Sequence, residues 1–138
     1  MSDKIFVDTN ILIYSIANEL QKRTIAEDVL LNQEIVISPQ VIGEFVAVSI
    51  RKRILPQPQV IAYARQFMQV FEVHAMTQHM VASALDVMAL YQFSYWDSLI
   101  IAAALKSQCT WLYTENLQDG QQIEKTLTIY NPFLHQSR

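Results

Sequence analysis

The sequence carries little charge, a single cysteine and no long apolar run. Charged residues make up 17% of the chain, against roughly a quarter in a typical soluble domain. Cys109 alone cannot form an intramolecular disulfide, and its place at the entry to an apolar strand predicts a buried small side chain. The longest apolar stretch, 98–105, is too short to span a bilayer, and the N-terminal residues lack the pattern of a signal peptide. These absences predict a cytoplasmic protein.

The overall charge and hydrophobicity indicate what kind of partner the protein can meet. A net charge of -3 gives no general attraction to nucleic acid, so a nucleic-acid role must depend on a local basic patch or on a metal ion. Hydrophobic residues reach 51%, which predicts apolar surface for a partner, and a homodimer is one expectation. The 138 residues, without repeats or linkers, predict one domain over 1–138.

Short runs rich in Ile and Val alternate with stretches at helical spacing, which is typical of an α/β fold. The runs predict strands at 5–8, 35–37, 71–74, 111–114 and 127–130. Helical spacing predicts helices at 11–31, 39–53, 59–69, 81–88 and 95–106. Ser38, Thr77 and Ser94 are the expected helix caps, and Asp119-Gly120 is a turn signal before the last strand.

Three acids lie in otherwise uncharged, apolar stretches far apart in the chain: Asp8, Glu44 and Asp97. Asp8 ends the first predicted strand, and the other two fall early in predicted helices. Because sites in parallel sheets form at the carboxyl ends of strands, we expect all three to face one end of the sheet. Isolated buried carboxylates need a donor, an opposite charge or a metal, and no Lys or Arg is adjacent to them. Their convergence indicates a shared hard cation such as Mg2+ or Mn2+.

Each acid also has a structural explanation when taken alone. Asp97 follows Ser94 by three residues and completes the pattern of a capping box. Asp8 is placed to cap the next helix, and Glu44 to lie half-buried on an amphipathic face. The three histidines have no zinc spacing and are expected to be structural: His74, His79 and His135.

The chain resembles the PIN-domain nucleases, and within them the VapC-like toxin ribonucleases of type II toxin-antitoxin pairs. The similarity extends along essentially the whole chain and involves three motifs: Asp8-Thr9-Asn10, Glu44 and Tyr95-Trp96-Asp97. It continues through the late segment 112–120. The resemblance implies a three-layer α/β/α sandwich with a central parallel sheet. It also implies an acidic pocket that binds Mg2+ or Mn2+, endonucleolytic cleavage of RNA with a metal-activated water, and a cognate antitoxin.

On that resemblance Asp8 is expected to be the central metal ligand, with Asp97 and Glu44 binding directly or through water. Residues expected to orient these carboxylates are Thr9, Asn10 and Thr114. The fourth acid of the family is replaced by Asn116, which offers a carbonyl oxygen without charge and puts a second metal in question. Asp119 or Glu115 is an alternative fourth acid, and the sequence does not choose between them.

Contact with RNA requires cations and favours aromatic side chains. The only basic cluster is Arg51, Lys52 and Arg53, which equally suits the C-terminus of a helix. Lesser basic candidates are Lys22, Arg23 and Arg65. Four aromatic residues are candidates for stacking on unpaired bases, with the core or an interface as the alternative: Tyr14, Phe45, Tyr95 and Trp96.

Two other classes of function remain open. A catalytically weak or inactive relative that only binds RNA or protein is compatible with Asn116. A phosphoryl-transfer protein with Asp8 as covalent acceptor is disfavoured, because a dehalogenase-type phosphatase needs aspartate where this chain has Asn10.

Overall fold

A computed structural model of the chain describes residues 3–135. Strands and helices alternate along it, as the sequence predicts. In chain order the elements are β1 (Lys4–Val7), α1 (Thr9–Tyr14), α2 (Leu20–Asn32), β2 (Glu34–Ile37), α3 (Pro39–Arg51), α4 (Gln57–Val70), β3 (Glu72–Val73), α5 (Gln78–Tyr91), α6 (Tyr95–Lys106), β4 (Trp111–Tyr113), β5 (Gln122–Ile123) and β6 (Leu127–Tyr130).

The strands form one six-stranded sheet in the order β3-β2-β1-β4-β6-β5. All neighbouring pairs are parallel except β5 and β6, which are antiparallel. In the centre of the sheet, Ile5 is paired with Ile35 on one side and Trp111 on the other. The strands β1 and β4 are therefore neighbours, and the residues that follow them meet at the same edge.

Helices cover both faces of this sheet, which gives the three-layer sandwich expected from the resemblance. Three of the four residues of β1 and of β2 are buried, as strands covered on both faces must be. The contacts between helices fall into two groups: α1 contacts α2 and α3, α3 contacts α4, and α5 packs on α6. Residues 98–104 of α6 are all buried, so this helix is part of the core.

The predicted caps are confirmed. Ser38, Thr77 and Ser94 each accept a hydrogen bond from the backbone N–H three residues later. The helix predicted at 95–106 has these same limits.

The helical stretch predicted at 11–31 forms two helices, α1 and α2, which are separated by residues 15–19. The hydroxyl of Ser15 donates to the carbonyl oxygen of Leu12 at 2.6 Å, and such local bonds compete with helix continuation. Strand β5 was not predicted. It is two residues long and turns into β6 through Glu124 and Lys125, both at positive φ without a glycine signal.

The helix after Ser38 ends at Arg51, two residues earlier than predicted, and Arg53 has a left-handed φ of 54°. Within residues 3–135, no helix is both long and apolar enough to cross a membrane.

Candidate active site

A cleft of about 680 Å³ lies at the carboxyl ends of β1 and β4. It brings together the three isolated acids and the residue that replaces the fourth. Among the residues that line it are Asp8, Thr9, Asn10, Gln40, Glu44, Arg51, Lys52, Trp96, Asp97, Glu115 and Asn116. Segments separated by more than a hundred residues therefore share one cleft, because β1 and β4 are neighbours and α3 and α6 begin at the same end of the sheet.

Asp8 is the most buried of these acids, with 6% of its surface exposed. It caps α1: its Oδ1 accepts from the backbone N–H of Thr9 at 2.7 Å, and its Oδ2 accepts from the Thr114 hydroxyl at 2.8 Å. Burial raises its pKa from 3.8 to about 6, the two hydrogen bonds oppose that rise, and the charges of Glu44 and Asp97 add to it. The ionised form of Asp8 is therefore only partly compensated by the protein.

Glu44 is held on both carboxylate oxygens. Its Oε1 accepts from the Thr9 hydroxyl at 2.9 Å and its Oε2 from Gln40 Nε2 at 3.4 Å. Thr9 thus connects two acids, since its backbone N–H bonds Asp8 and its hydroxyl bonds Glu44.

Gln40 is a cleft residue that the sequence analysis missed. Its amide also donates to the backbone carbonyl of Trp96 at 3.4 Å, while its Oε1 is buried without a donor among the described residues. A reversed amide would turn Oε1 toward two acceptors, so the observed orientation is favoured despite the unpaired oxygen. The spacing of Gln40 and Glu44, four residues apart in a helix, was the available signal.

Asp97 lies in the first turn of α6, half-buried. Its backbone N–H donates to Ser94 Oγ at 3.1 Å, which is one half of a capping box. Its carboxylate accepts no hydrogen bond from the chain between residues 3 and 135. Capping therefore accounts for Ser94 but leaves the carboxylate of Asp97 available to the cleft.

Thr114 and Asn10 connect the end of β4 to the start of α1. The Thr114 hydroxyl donates to Asp8 and accepts from Asn10 Nδ2 at 3.4 Å and from the backbone N–H of Asn116 at 3.1 Å. Asn10 Oδ1 accepts from the backbone N–H of Glu115 at 3.2 Å. These contacts hold the segment 114–116 against Asp8.

The two alternative fourth acids are both engaged elsewhere. Glu115 borders the cleft, but its carboxylate forms an ion pair with Lys22 and accepts from the Tyr14 hydroxyl at 2.7 Å. The ion pair with Glu115 raises the pKa of Lys22.

Asp119 is not among the residues that line the cleft. It accepts from the backbone N–H of Asn131 at 2.8 Å and contacts His135 at 2.8 Å. The hydrogen bond from Asn131 is the main cause of a lowered pKa of Asp119. The neutral Asn116 is exposed and lines the cleft.

The three residues of the basic cluster lie at two different surfaces. Arg51 and Lys52 line the cleft from the C-terminus of α3, and both are exposed. Arg53 lines a separate depression beside Pro56. Of the lesser candidates, Lys22 is paired with Glu115 and Arg23 with Glu27.

The donor set has the chemistry of a hard divalent cation site. It consists of carboxylate and amide oxygens, and no Lys or Arg within residues 3–135 forms an ion pair with Asp8, Glu44 or Asp97. In the same part of the chain, no three His, Cys, Asp or Glu side chains are grouped closely enough to bind one ion directly. Burial raises the pKa of Asp8 and so disfavours its ionised form, which a nearby cation would stabilise. The chemistry of these oxygen donors thus fits a hard divalent cation.

Comparison with known proteins supplies a family. The sequence pattern of the PIN domain matches residues 5–118. No curated protein matches the chain.

Solved structures share the fold at low sequence identity. A toxin-antitoxin complex from Klebsiella pneumoniae has a TM-score of 0.69 and 19% identity, over 93% of this chain and 97% of that one. A VapBC pair from Rickettsia felis, bound to DNA from its promoter, has a TM-score of 0.66 and 21% identity, over 93% and 98%. A sarcin-ricin loop cleaving VapC toxin from Mycobacterium tuberculosis has a TM-score of 0.66 and 18% identity, over 78% and 86%.

Proposed function

The chain belongs to the PIN domain family, and from that premise we propose that it is a metal-dependent endoribonuclease, the toxin of a toxin-antitoxin pair. The observation that carries the proposal is the cleft that joins Asp8, Glu44 and Asp97, with Asp8 buried and no Lys or Arg of residues 3–135 in an ion pair with these acids. Three acids around a metal ion are a common device for hydrolysis of phosphodiester bonds.

In this proposal Asp8, Asp97 and Glu44 would hold Mg2+ or Mn2+, and Asn116 would offer a neutral oxygen. The cation, when bound, would lower the pKa of the attacking water and stabilise the negative charge that develops on the phosphate. Thr9 and Thr114 fix the carboxylate of Asp8, and Thr9 and Gln40 fix that of Glu44. Such contacts hold the carboxylate oxygens in fixed orientations, so the side chains need less reorganisation when the metal binds.

Partners are proposed from the structural neighbours. One of them belongs to a toxin-antitoxin complex, a second to a VapBC pair, and a third is described as a sarcin-ricin loop cleaving toxin. We extend the antitoxin partner and an RNA substrate to this chain, and with them action in the cytoplasm. Exposed apolar side chains on α5, namely Leu85, Met88 and Leu90, support a homodimer.

The test is RNA cleavage by purified variants. Asp8→Asn and Asp97→Asn each remove a charged ligand, so Mn2+-dependent cleavage should fall by orders of magnitude while the fold is retained. Asp86→Asn is the matched control, because Asp86 is exposed on α5 and does not line the cleft. Native activity in Asp8→Asn would overturn the proposal.

A second candidate function, binding of RNA or protein without catalysis, is favoured by one observation, the neutral Asn116 in the cleft. Titration with Mn2+ separates the two. A chain that binds RNA equally well with and without Mn2+, and never cleaves it, would be a binding module.

A further inference from the structure

Trp96 is exposed beside the proposed catalytic acids. It lies in the first turn of α6, directly before Asp97, and 61% of its surface is accessible although it lines the cleft. An exposed aromatic ring at a cleft offers a large apolar face that a ligand can cover. The position is also well defined: its carbonyl accepts from Gln40, and its ring meets the ring of Tyr95 edge-on, with 5.1 Å between centroids.

The structure leaves Trp96 as the one open ring among the four aromatic residues that the sequence offers for stacking. Phe45 is fully buried in the core. Tyr14 is half-buried, bonds Glu115 through its hydroxyl and has the ammonium group of Lys22 4.6 Å from its ring centre. Tyr95 is half-buried. An incoming base can therefore reach a free ring face at Trp96 but not at these others.

Two cations belong to the same cleft. Arg51 and Lys52 are exposed and line it together with Trp96. An aromatic ring combined with cations in a groove is the combination that binds single-stranded nucleic acid, the ring stacking on a base and the cations contacting phosphates. Bases within a duplex are already stacked on each other and cannot cover such a ring.

We propose that Trp96 is a stacking platform that holds one unpaired base of the RNA beside the proposed catalytic acids. The proposal rests on the proposed function and adds to it a residue that contacts the base. Every base can stack on an aromatic ring, so Trp96 favours unpaired bases but does not distinguish one base from another.

The experiment measures binding in an Asp8→Asn chain, where cleavage does not interfere. A labelled single-stranded oligoadenylate and the same strand annealed to oligouridylate are titrated by fluorescence anisotropy. Trp96→Ala should weaken binding of the single strand about tenfold, whereas Trp96→Phe, which keeps an aromatic face, should retain most of it. Leu31→Ala is the matched control, since Leu31 is 81% exposed on α2 and outside the cleft.

A second measurement follows the fluorescence emission of Trp96 itself. The chain has two tryptophans, so in an Asp8→Asn, Trp111→Phe chain all tryptophan emission comes from Trp96. Oligoadenylate should quench that emission, and the duplex should not. If the second substitution prevents folding, the anisotropy series decides alone.

Several outcomes would overturn the proposal. Equal affinity of Trp96→Ala and its parent for oligoadenylate would exclude the platform while leaving the nuclease assignment intact. An equal loss for single strand and duplex would exclude selection of unpaired bases. Emission from Trp96 that changes with protein concentration in the absence of RNA would assign the ring to self-association. Failure of the parent chain to bind any RNA would overturn the proposed function as well.

Discussion

At the scale of single residues, Asp8 combines two tasks that favour different environments. As an N-cap it accepts from the backbone of α1, and this requires only partial burial. As the end of a buried strand it is removed from water, which raises its pKa to about 6. The hydrogen bonds from Thr9 and Thr114 lower the cost of ionising it but do not cancel it.

The stability of the metal-free protein should therefore depend on pH through Asp8. Because folding raises the pKa of Asp8, the contribution of this residue to the free energy of unfolding is fully present below pH 3.8. That contribution is lost as the pH rises through about 6. The difference between the two pKa values corresponds to a decrease of about 3 kcal/mol in the free energy of unfolding. Thermal unfolding in EDTA should show the native protein losing stability relative to Asp8→Asn as pH rises from about 4.5 to 7.5.

Addition of Mg2+ should reverse this trend, since a cation that binds the folded site stabilises it. The reversal should be absent in Asp8→Asn. A difference between the two proteins that stays constant over the whole pH range would show that Asp8 is not the group responsible.

At the scale of elements, the cleft depends on how two helices from different groups are joined. Helix α3 carries Glu44, and α6 carries Asp97. Gln40 connects them, because one amide group donates both to Glu44 and to the carbonyl of Trp96 in the first turn of α6.

We expect Gln40→Leu to weaken Mn2+ binding about tenfold, as loss of a residue that orients a metal ligand typically does. If Gln40 acts through Glu44, the same change in a Glu44→Gln background should have little further effect. Calorimetric titration of Mn2+ into the four proteins of this cycle gives the answer, together with a thermal melt to verify folding.

Gln69→Leu, an equivalent change at an exposed site on α4, is the control. Equal losses of Mn2+ affinity in the native and the Glu44→Gln backgrounds would show that Gln40 does not act through Glu44.

At the scale of the whole molecule, the negative charge repels the proposed RNA substrate everywhere except near the C-terminus of α3. The chain has a net charge of -3, and the cleft contains several acids. Arg51 and Lys52 are the cations that border the cleft, at the C-terminus of α3, while Arg53 beside them in sequence lies in a different depression. RNA affinity should therefore depend on a small number of local contacts.

Arg51→Ala and Lys52→Ala should each weaken RNA binding to a similar degree for all sequences. Each should also reduce the slope of log K against log salt by about 0.7, the value for one lost contact to a single strand. Anisotropy titrations in the Asp8→Asn chain at several salt concentrations measure both quantities. Arg65→Ala, an exposed change on α4 away from the cleft, should alter neither. An unchanged salt slope in Arg51→Ala would mean that its guanidinium does not contact phosphate.

Features that depend on neighbours in the chain could be predicted from the sequence. Helix α6 was predicted with its observed limits, because Ser94 caps it and the apolar spacing continues to Lys106. Ser38 and Pro39 defined the start of α3 in the same way. The three isolated acids were recognisable because uncompensated charge in an apolar segment is unfavourable whatever the fold.

Which side chains are available at the cleft depends on contacts between distant parts of the chain. Glu115 is engaged by Lys22, 93 residues away in the chain, and Asp119 by Asn131 and His135. Gln40 reaches Trp96 across 56 residues. Arg51 and Arg53 are two residues apart and line different surfaces. Such contacts depend on how strands and helices pack, and neither spacing nor composition encodes which distant groups will meet within hydrogen-bonding distance.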